Sequence, residues 1–176
     1  MQYSANSGLS REAERKIISA RVRMLINAPF FGTLATRLII KASGDWCKTL
    51  ATDGKHLYIH EEFIDTLDKH ELEFVVGHEV MHCVYDHMGR RGGRDPKLWN
   101  VAADFVINLE LSDQGVGKMP SMALLDQKYR GLSSDEVYDL LEEEQEKNGD
   151  QGYETLDVHM EPGDSDGDGD GKDGPI

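Results

Sequence analysis

Apolar residues recur at helical spacing between Ser10 and Ala28, at Ile17, Ile18, Ala20, Val22, Leu25 and Ile26. Ser10 stands where an N-cap belongs and Pro29 closes the segment, so the pattern predicts a first helix. Residues 30–43 carry two signals: Leu38, Ile39 and Ile40 favour a strand, while a helical start at Gly32 stays open. Residues 46–59 read as a hairpin, with Thr49-Leu50-Ala51, a turn at Asp53-Gly54, and His56-Leu57-Tyr58-Ile59. A short helical turn over 63–67 precedes Asp68 and Glu71, whose three-residue spacing is a capping box that opens a helix at Lys69. That helix carries Leu72, Val75 and Val76 and is expected to end at Gly89 and Gly92-Gly93. Asp95-Pro96 opens another helix, a capping residue followed by proline at the first helical position. Its apolar positions are Trp99, Ala102, Ala103, Val106 and Ile107, and it runs to about Leu111. After a loop over 112–132, Ser133 and Glu136 form a second capping box, and Val137, Leu140 and Leu141 stripe the last helix.

Composition and charge sharpen this outline. At 176 residues and 39% hydrophobic content the chain suits one domain with a real core. No apolar run nears the roughly 20 residues that cross a bilayer, and the polar start lacks a secretory core. Cys47 and Cys83 alone make no disulfide framework, which points to a reducing, cytoplasmic setting. The net charge of −14 is confined to one end: sixteen of the 33 acidic residues lie in 135–176, against only Lys147 and Lys172. The body is balanced. Only Arg90, Arg91 and Arg94 cluster, as expected of a solvated loop, so neither nucleic acid nor a membrane is an expected partner. The division expected is a domain over 1–148 and an acidic Asp/Gly linker or disordered tail over 149–176. Within it, Asp164, Asp166 and Asp168-Gly169 mimic the start of a calcium loop, but Pro175 stands where the bidentate carboxylate belongs.

The candidate chemistry sits in Gly77-His78-Glu79-Val80-Met81-His82, an H-E-x-x-H pattern on a segment already predicted helical. Four-residue spacing puts both imidazoles on one face, a turn apart, within reach of one Zn2+ ion. Glu79 lies roughly 100° around the helix, at the edge of that face, where a carboxylate serves as general base toward a zinc-activated water. The chain's own His and Glu frequencies give about 0.02 such matches by chance. Two histidines and a glutamate among Val75, Val76 and Val80 are also costly without a purpose. A catalytic zinc needs a third protein ligand, for which Asp104, His87, Asp86 and Asn100 are candidates. Asp104, amid apolar neighbours on the next helix, best satisfies ligand chemistry and helix phase. His87 reaches the ion only if the first helix breaks before it. Asn100 and Asn108 share Asp104's stripe and are assigned to hydrogen bonding around the site. Cys83 reads as a small buried thiol, Tyr85 as packing or cleft lining, and His56, His60, His70 and His159 as isolated exposed residues.

Several blocks also resemble a known family. The residues from Gly77 through His87, then Arg90-Arg91, Arg94-Asp95-Pro96, and Trp99-Asn100-Val101-Ala102-Ala103-Asp104-Phe105-Val106-Ile107-Asn108 are similar to the putative-metallopeptidase domain of bacterial and phage proteins. Ala28-Pro29-Phe30-Phe31-Gly32, Thr52-Asp53-Gly54 and the 132–141 segment fit it too, so the likeness spans roughly 10–145. It implies an α+β, zincin-like architecture, mainly helical, with two active-site helices backed by a small sheet or hairpin. It also implies a von Willebrand factor A-like domain as a common neighbour, beyond a polar linker. More distantly, a second histidine nine residues after the first resembles the CAAX-processing membrane metallopeptidases. Asn100 stands where those carry a liganding glutamate, which moves the third ligand to Asp104. The function expected is a zinc metallopeptidase acting on peptide or protein, with His78, His82 and Asp104 as ligands and Glu79 as base. Its rival is an inactive, metal-stabilised interaction module.

Overall fold

The computed structural model describes residues 6–157. Both capping boxes form as the sequence predicts. Helix α1 spans Arg11–Asn27, with the Ser10 side chain accepting from the Ala13 amide. Its core stripe is Ala13, Ile17, Ala20 and Met24. Ile18, Val22, Leu25 and Ile26, read above as part of the apolar stripe, are exposed instead. The ambiguous stretch resolves into two elements, α2 over Pro29–Ala35 and strand β1 over Ile39–Ala42. Thus both competing signals were real, for adjacent segments.

Strands β2 (Leu50–Thr52) and β3 (His56–Ile59) form the expected antiparallel hairpin. Asp53 organises its turn by accepting from the amides of Lys55 and His56. Strand β1 pairs with β3 in parallel, which makes a three-stranded sheet in the order β1-β3-β2. A short helix α3, Glu61–Asp65, leads to the long helix α4, Lys69–Val84. Helix α4 is buried from Leu72 through His82, polar and apolar side chains alike, so it is a central helix rather than a one-sided surface helix.

Helix α4 stops earlier than its glycines suggest. Asp86 takes a left-handed backbone conformation, φ 49°, and caps a separate short helix α5, His87–Arg90. The chain turns there, three residues ahead of the first predicted stop at Gly89 and six ahead of Gly92-Gly93. Helix α6 follows over Pro96–Gln114, capped by Asp95 and ended by left-handed Gly115. After a 3-10 turn at Gln127–Tyr129, helix α7 spans Ser134–Asn148.

Two apolar clusters hold these elements. The first joins Ile17 and Met24 of α1, Phe31 of α2, Leu50, Leu57 and Ile59 of the sheet, Val75 and Val76 of α4, and Ile107 and Leu111 of α6. The second packs the opposite face of α6, through Trp99, Ala102 and Phe105, on Tyr129, Val137, Tyr138 and Leu141. Helix α6 therefore lies between α4 and α7. Gly77 lets α4 and the end of α6 close up, since a Cβ there would stand 3.2 Å from Val116 and 3.3 Å from Leu111. Arg90 and Arg94, expected in a solvated loop, both pair with Asp135 of α7. The Arg94 guanidinium also lies 4.9 Å from the Trp99 ring centroid, so the basic cluster clamps α7.

Residues 151–157 have no helix or strand, yet Leu156 and Asp157 are buried against the body. The chain past Asn148 is thus not wholly the linker its composition predicts. The 164–174 repeat, its calcium-loop mimic and His159 lie outside the described residues. Among the described residues no helix is long and apolar enough to cross a membrane.

Candidate metal centre

The site is assembled by two helices that each contribute a pair four residues apart. Helix α4 presents His78 and His82 toward α6, and α6 presents Asp104 and Asn108 toward α4. The Nε2 atoms of His78 and His82 lie 3.0 Å apart. Asp104 Oδ1 stands 3.3 Å from His78 Nε2 and 3.4 Å from His82 Nε2. A fourth group, Asp157, completes the cluster from the C-terminal segment. Its Oδ1 is 3.4 Å from His78 Nε2 and its Oδ2 is 3.2 Å from His82 Nε2. The donor atoms of His78, His82, Asp104 and Asp157 all fall within 4.8 Å of one another, and all four residues are buried.

These spacings can be tested against an ion. Four ligands at about 2.0–2.1 Å from a tetrahedral centre stand about 3.3–3.4 Å from one another. The distances between the two imidazoles and from them to the two carboxylates, 3.0–3.4 Å, are close to such edges. Two imidazoles and two carboxylates are also a donor set that can hold a divalent transition-metal ion, zinc among them. The residues present fit the group.

The outward-facing nitrogens are held as a ligating histidine requires. His78 Nδ1 is 2.9 Å from Asn108 Oδ1, and the Asn108 amide nitrogen donates to the Leu124 carbonyl, which orients the oxygen toward the ring. His82 Nδ1 is 3.1 Å from His87 Nδ1, and His87 Nε2 is 2.8 Å from Ser134 Oγ on α7. Trp99 Nε1 donates to the His87 carbonyl at 2.7 Å. The proton placement that leaves both Nε2 lone pairs facing the cage has His78 donating to Asn108, His82 to His87, and His87 to Ser134. His87, weighed above as a ligand, thus braces His82 from behind and is outside the four-residue group. The break before α5 that its liganding would have required is present, but it carries the ring to the far nitrogen.

Glu79 is fully buried beside this cage, and no N–H or hydroxyl donor among the described residues reaches either carboxylate oxygen. Burial, and next the Asp157 carboxylate, hold it well above the usual carboxylate range. For His78, burial alone would depress the pKa, but Asp104 and Asp157 outweigh it and push it up to about 10. The cluster carries more acid than base in a dry interior, a surplus that either protons or a cation must balance.

Of the other residues singled out by sequence, Cys83 sits near Thr52 and is half-buried, and Cys47 is buried apart from any cysteine. Tyr85 is half-buried, with its ring 5.4 Å from that of His87. His56 is not isolated: its Nδ1 is 2.8 Å from Asp53 Oδ2. Of the four cage residues, only Asp157 was missed altogether. The signal for it was Tyr153, Leu156 and Val158, apolar residues interrupting an otherwise Asp/Gly-rich stretch.

One family model, described as "Putative metallopeptidase domain", matches residues 12–174. No curated protein and no solved structure matches the chain.

Proposed function

The chain belongs to the Putative metallopeptidase domain family, and from that premise we propose that it is a zinc-dependent hydrolase of peptide bonds. In this reading His78, His82 and Asp104 hold the ion and Glu79 is the general base. The observation that carries it is Glu79: a carboxylate fully buried with no N–H or hydroxyl donor at either oxygen, next to a cage of two histidines and two aspartates. A purely structural zinc has no use for such a group, and a carboxylate is costly to bury.

When bound, zinc supplies Lewis acidity toward a carbonyl and makes a water easier to deprotonate. The residues of the chain do the rest. Asn108 and His87 fix the rings of His78 and His82 so that both Nε2 atoms point inward. Glu79 accepts the proton of the attacking water at its carboxylate and returns it to the leaving amine. Helices α4 and α6 hold these groups on rigid scaffolding, so little reorganisation accompanies the proton transfer. The unpaired Cys47 and Cys83 favour a reducing compartment such as the cytoplasm as its setting.

A second reading has one observation in its favour. Four protein donors leave no open position, as in structural zinc sites, which favours a metal-stabilised interaction module. Glu79→Gln separates the two. In the hydrolase the variant keeps its metal and fold while cleavage of a peptide library falls by about 10²–10⁴-fold. A wild-type rate in that variant would remove Glu79 from the chemistry.

A further inference from the structure

Asp157 differs from its three companions in what carries it. His78, His82 and Asp104 project from the two central helices, whereas Asp157 lies on a segment without helix or strand. That segment is held by contacts made outside any helix or strand of its own. The Leu156 side chain enters the main core, and its amide donates to Asp104 Oδ2 at 3.0 Å. Tyr153 sets its ring edge-on to Phe105 at 5.5 Å. Thr155 Oγ1 donates to the Asp157 carbonyl, a bond internal to the segment. Lys97 and Asp150 pair at 3.6 Å where both are exposed, a contact worth little.

The position of the Asp157 carboxylate matters as much as its attachment. Its two oxygens face both Nε2 atoms, at 3.4 and 3.2 Å, and after burial the same carboxylate does most to hold the Glu79 carboxyl up. A catalytic site requires a water in that space, between the ion and the base. Here the chain's own carboxylate fills it. With His78, Glu79 and Asp104 at 0% exposure and His82 at 3%, no peptide bond reaches the cage while the segment is seated.

We propose that residues 151–157 form an autoinhibitory strap, and that Asp157 is a displaceable fourth ligand which keeps the metal centre latent until the strap withdraws. The proposal rests on the hydrolase reading and reconciles it with the four-donor cage: the ion has four protein ligands when latent and three when open. Opening exchanges one Asp157 oxygen for a water oxygen at the ion, with no covalent step. It also frees the Leu156 amide from Asp104 and exposes Glu79.

The test uses the full chain loaded with Co2+ as a spectroscopic stand-in, with acetohydroxamate as a small metal-seeking probe read by the cobalt absorption bands. Three proteins are compared: wild type, Asp157→Ala and Leu156→Ala. The last retains every ligand and loosens the strap at some cost in stability, and it carries the test if Asp157→Ala fails to fold by circular dichroism. The expected result is one ion per chain in all three, with hydroxamate bound at least tenfold more tightly by Asp157→Ala than by wild type, and Leu156→Ala between them. Equal hydroxamate affinity in wild type and in every folded variant would overturn latency while leaving the metal site intact. Loss of the ion from folded Asp157→Ala would also overturn it, because Asp157 would then be a permanent ligand. Failure of all three proteins to bind Co2+ would instead overturn the hydrolase reading, and the strap proposal with it.

Discussion

Two hydrogen bonds that never touch an ion decide which nitrogens face the cage. Asn108 fixes His78 through Nδ1, and the His87–Ser134 pair does the same for His82. Partners of this kind set ring orientation and ligand basicity. Asn108→Ala is therefore expected to weaken zinc binding by about 10–100-fold while leaving all four donor residues in place. Competition with a chromophoric chelator measures it, and unchanged affinity would show that the helices alone orient His78. Asn108→Asp, which keeps an acceptor at that point, should recover most of the loss.

At the scale of elements, placement of the site depends on how closely helices approach. Helices α1 and α2 meet at Gly32, where a Cβ would stand 2.4 Å from the Leu25 backbone nitrogen. Backbone cannot step aside as a flexible side chain does. Gly32→Ala is expected to destabilise the fold by at least about 1–3 kcal/mol, the usual cost of overpacking. Thermal unfolding should register a fall of about 2–4 °C per kcal/mol for a chain of this size. A melting temperature equal to wild type would mean that α2 shifts freely against α1. The early end of α4 belongs to the same scale. Left-handed Asp86 turns the chain so that His87 comes back against His82, and Arg90 and Arg94 then reach Asp135 of α7.

For the whole molecule, the C-terminal segment is part of the domain as far as Asp157. Leu156 is 2% exposed and belongs to the main core. Truncating a buried leucine to alanine costs about 2–5 kcal/mol. Leu156→Ala should thus lower the melting temperature by at least about 4 °C. A chain ending at Asn148 should lose at least as much, since Tyr153 and Asp157 go too. If that shortened chain melts with the full-length protein, the segment adds nothing to stability and its burial is incidental. Zinc should act in the opposite direction, because an ion that binds only the folded state stabilises it by about 2.7 kcal/mol at a hundred times its Kd.

Much of this was legible in the sequence because it is local. The capping boxes at Asp68-Glu71 and Ser133-Glu136, the Asp95-Pro96 opening and the Asp53-Gly54 turn are short-range hydrogen-bonding patterns, and each starts its element where predicted. The i,i+4 spacing of His78 and His82, and of Asp104 and Asn108, likewise follows from helix geometry alone. The parallel pairing of β1 with β3 was not legible, since it joins segments through packing that no short window contains. Nor was the outward face of α1: with apolar residues on both sides, only its contacts with α2 and α4 select Ile17 and Met24 over Ile18 and Val22. Asp157 stands 53 residues past Asp104, amid a sequence whose composition reads as solvent-exposed linker. The sequence by itself determined the helices and the residue pairs they display. Only the tertiary structure decided that His87 braces His82, and that Asp157 closes the cage, because both depend on where distant backbone segments come to rest.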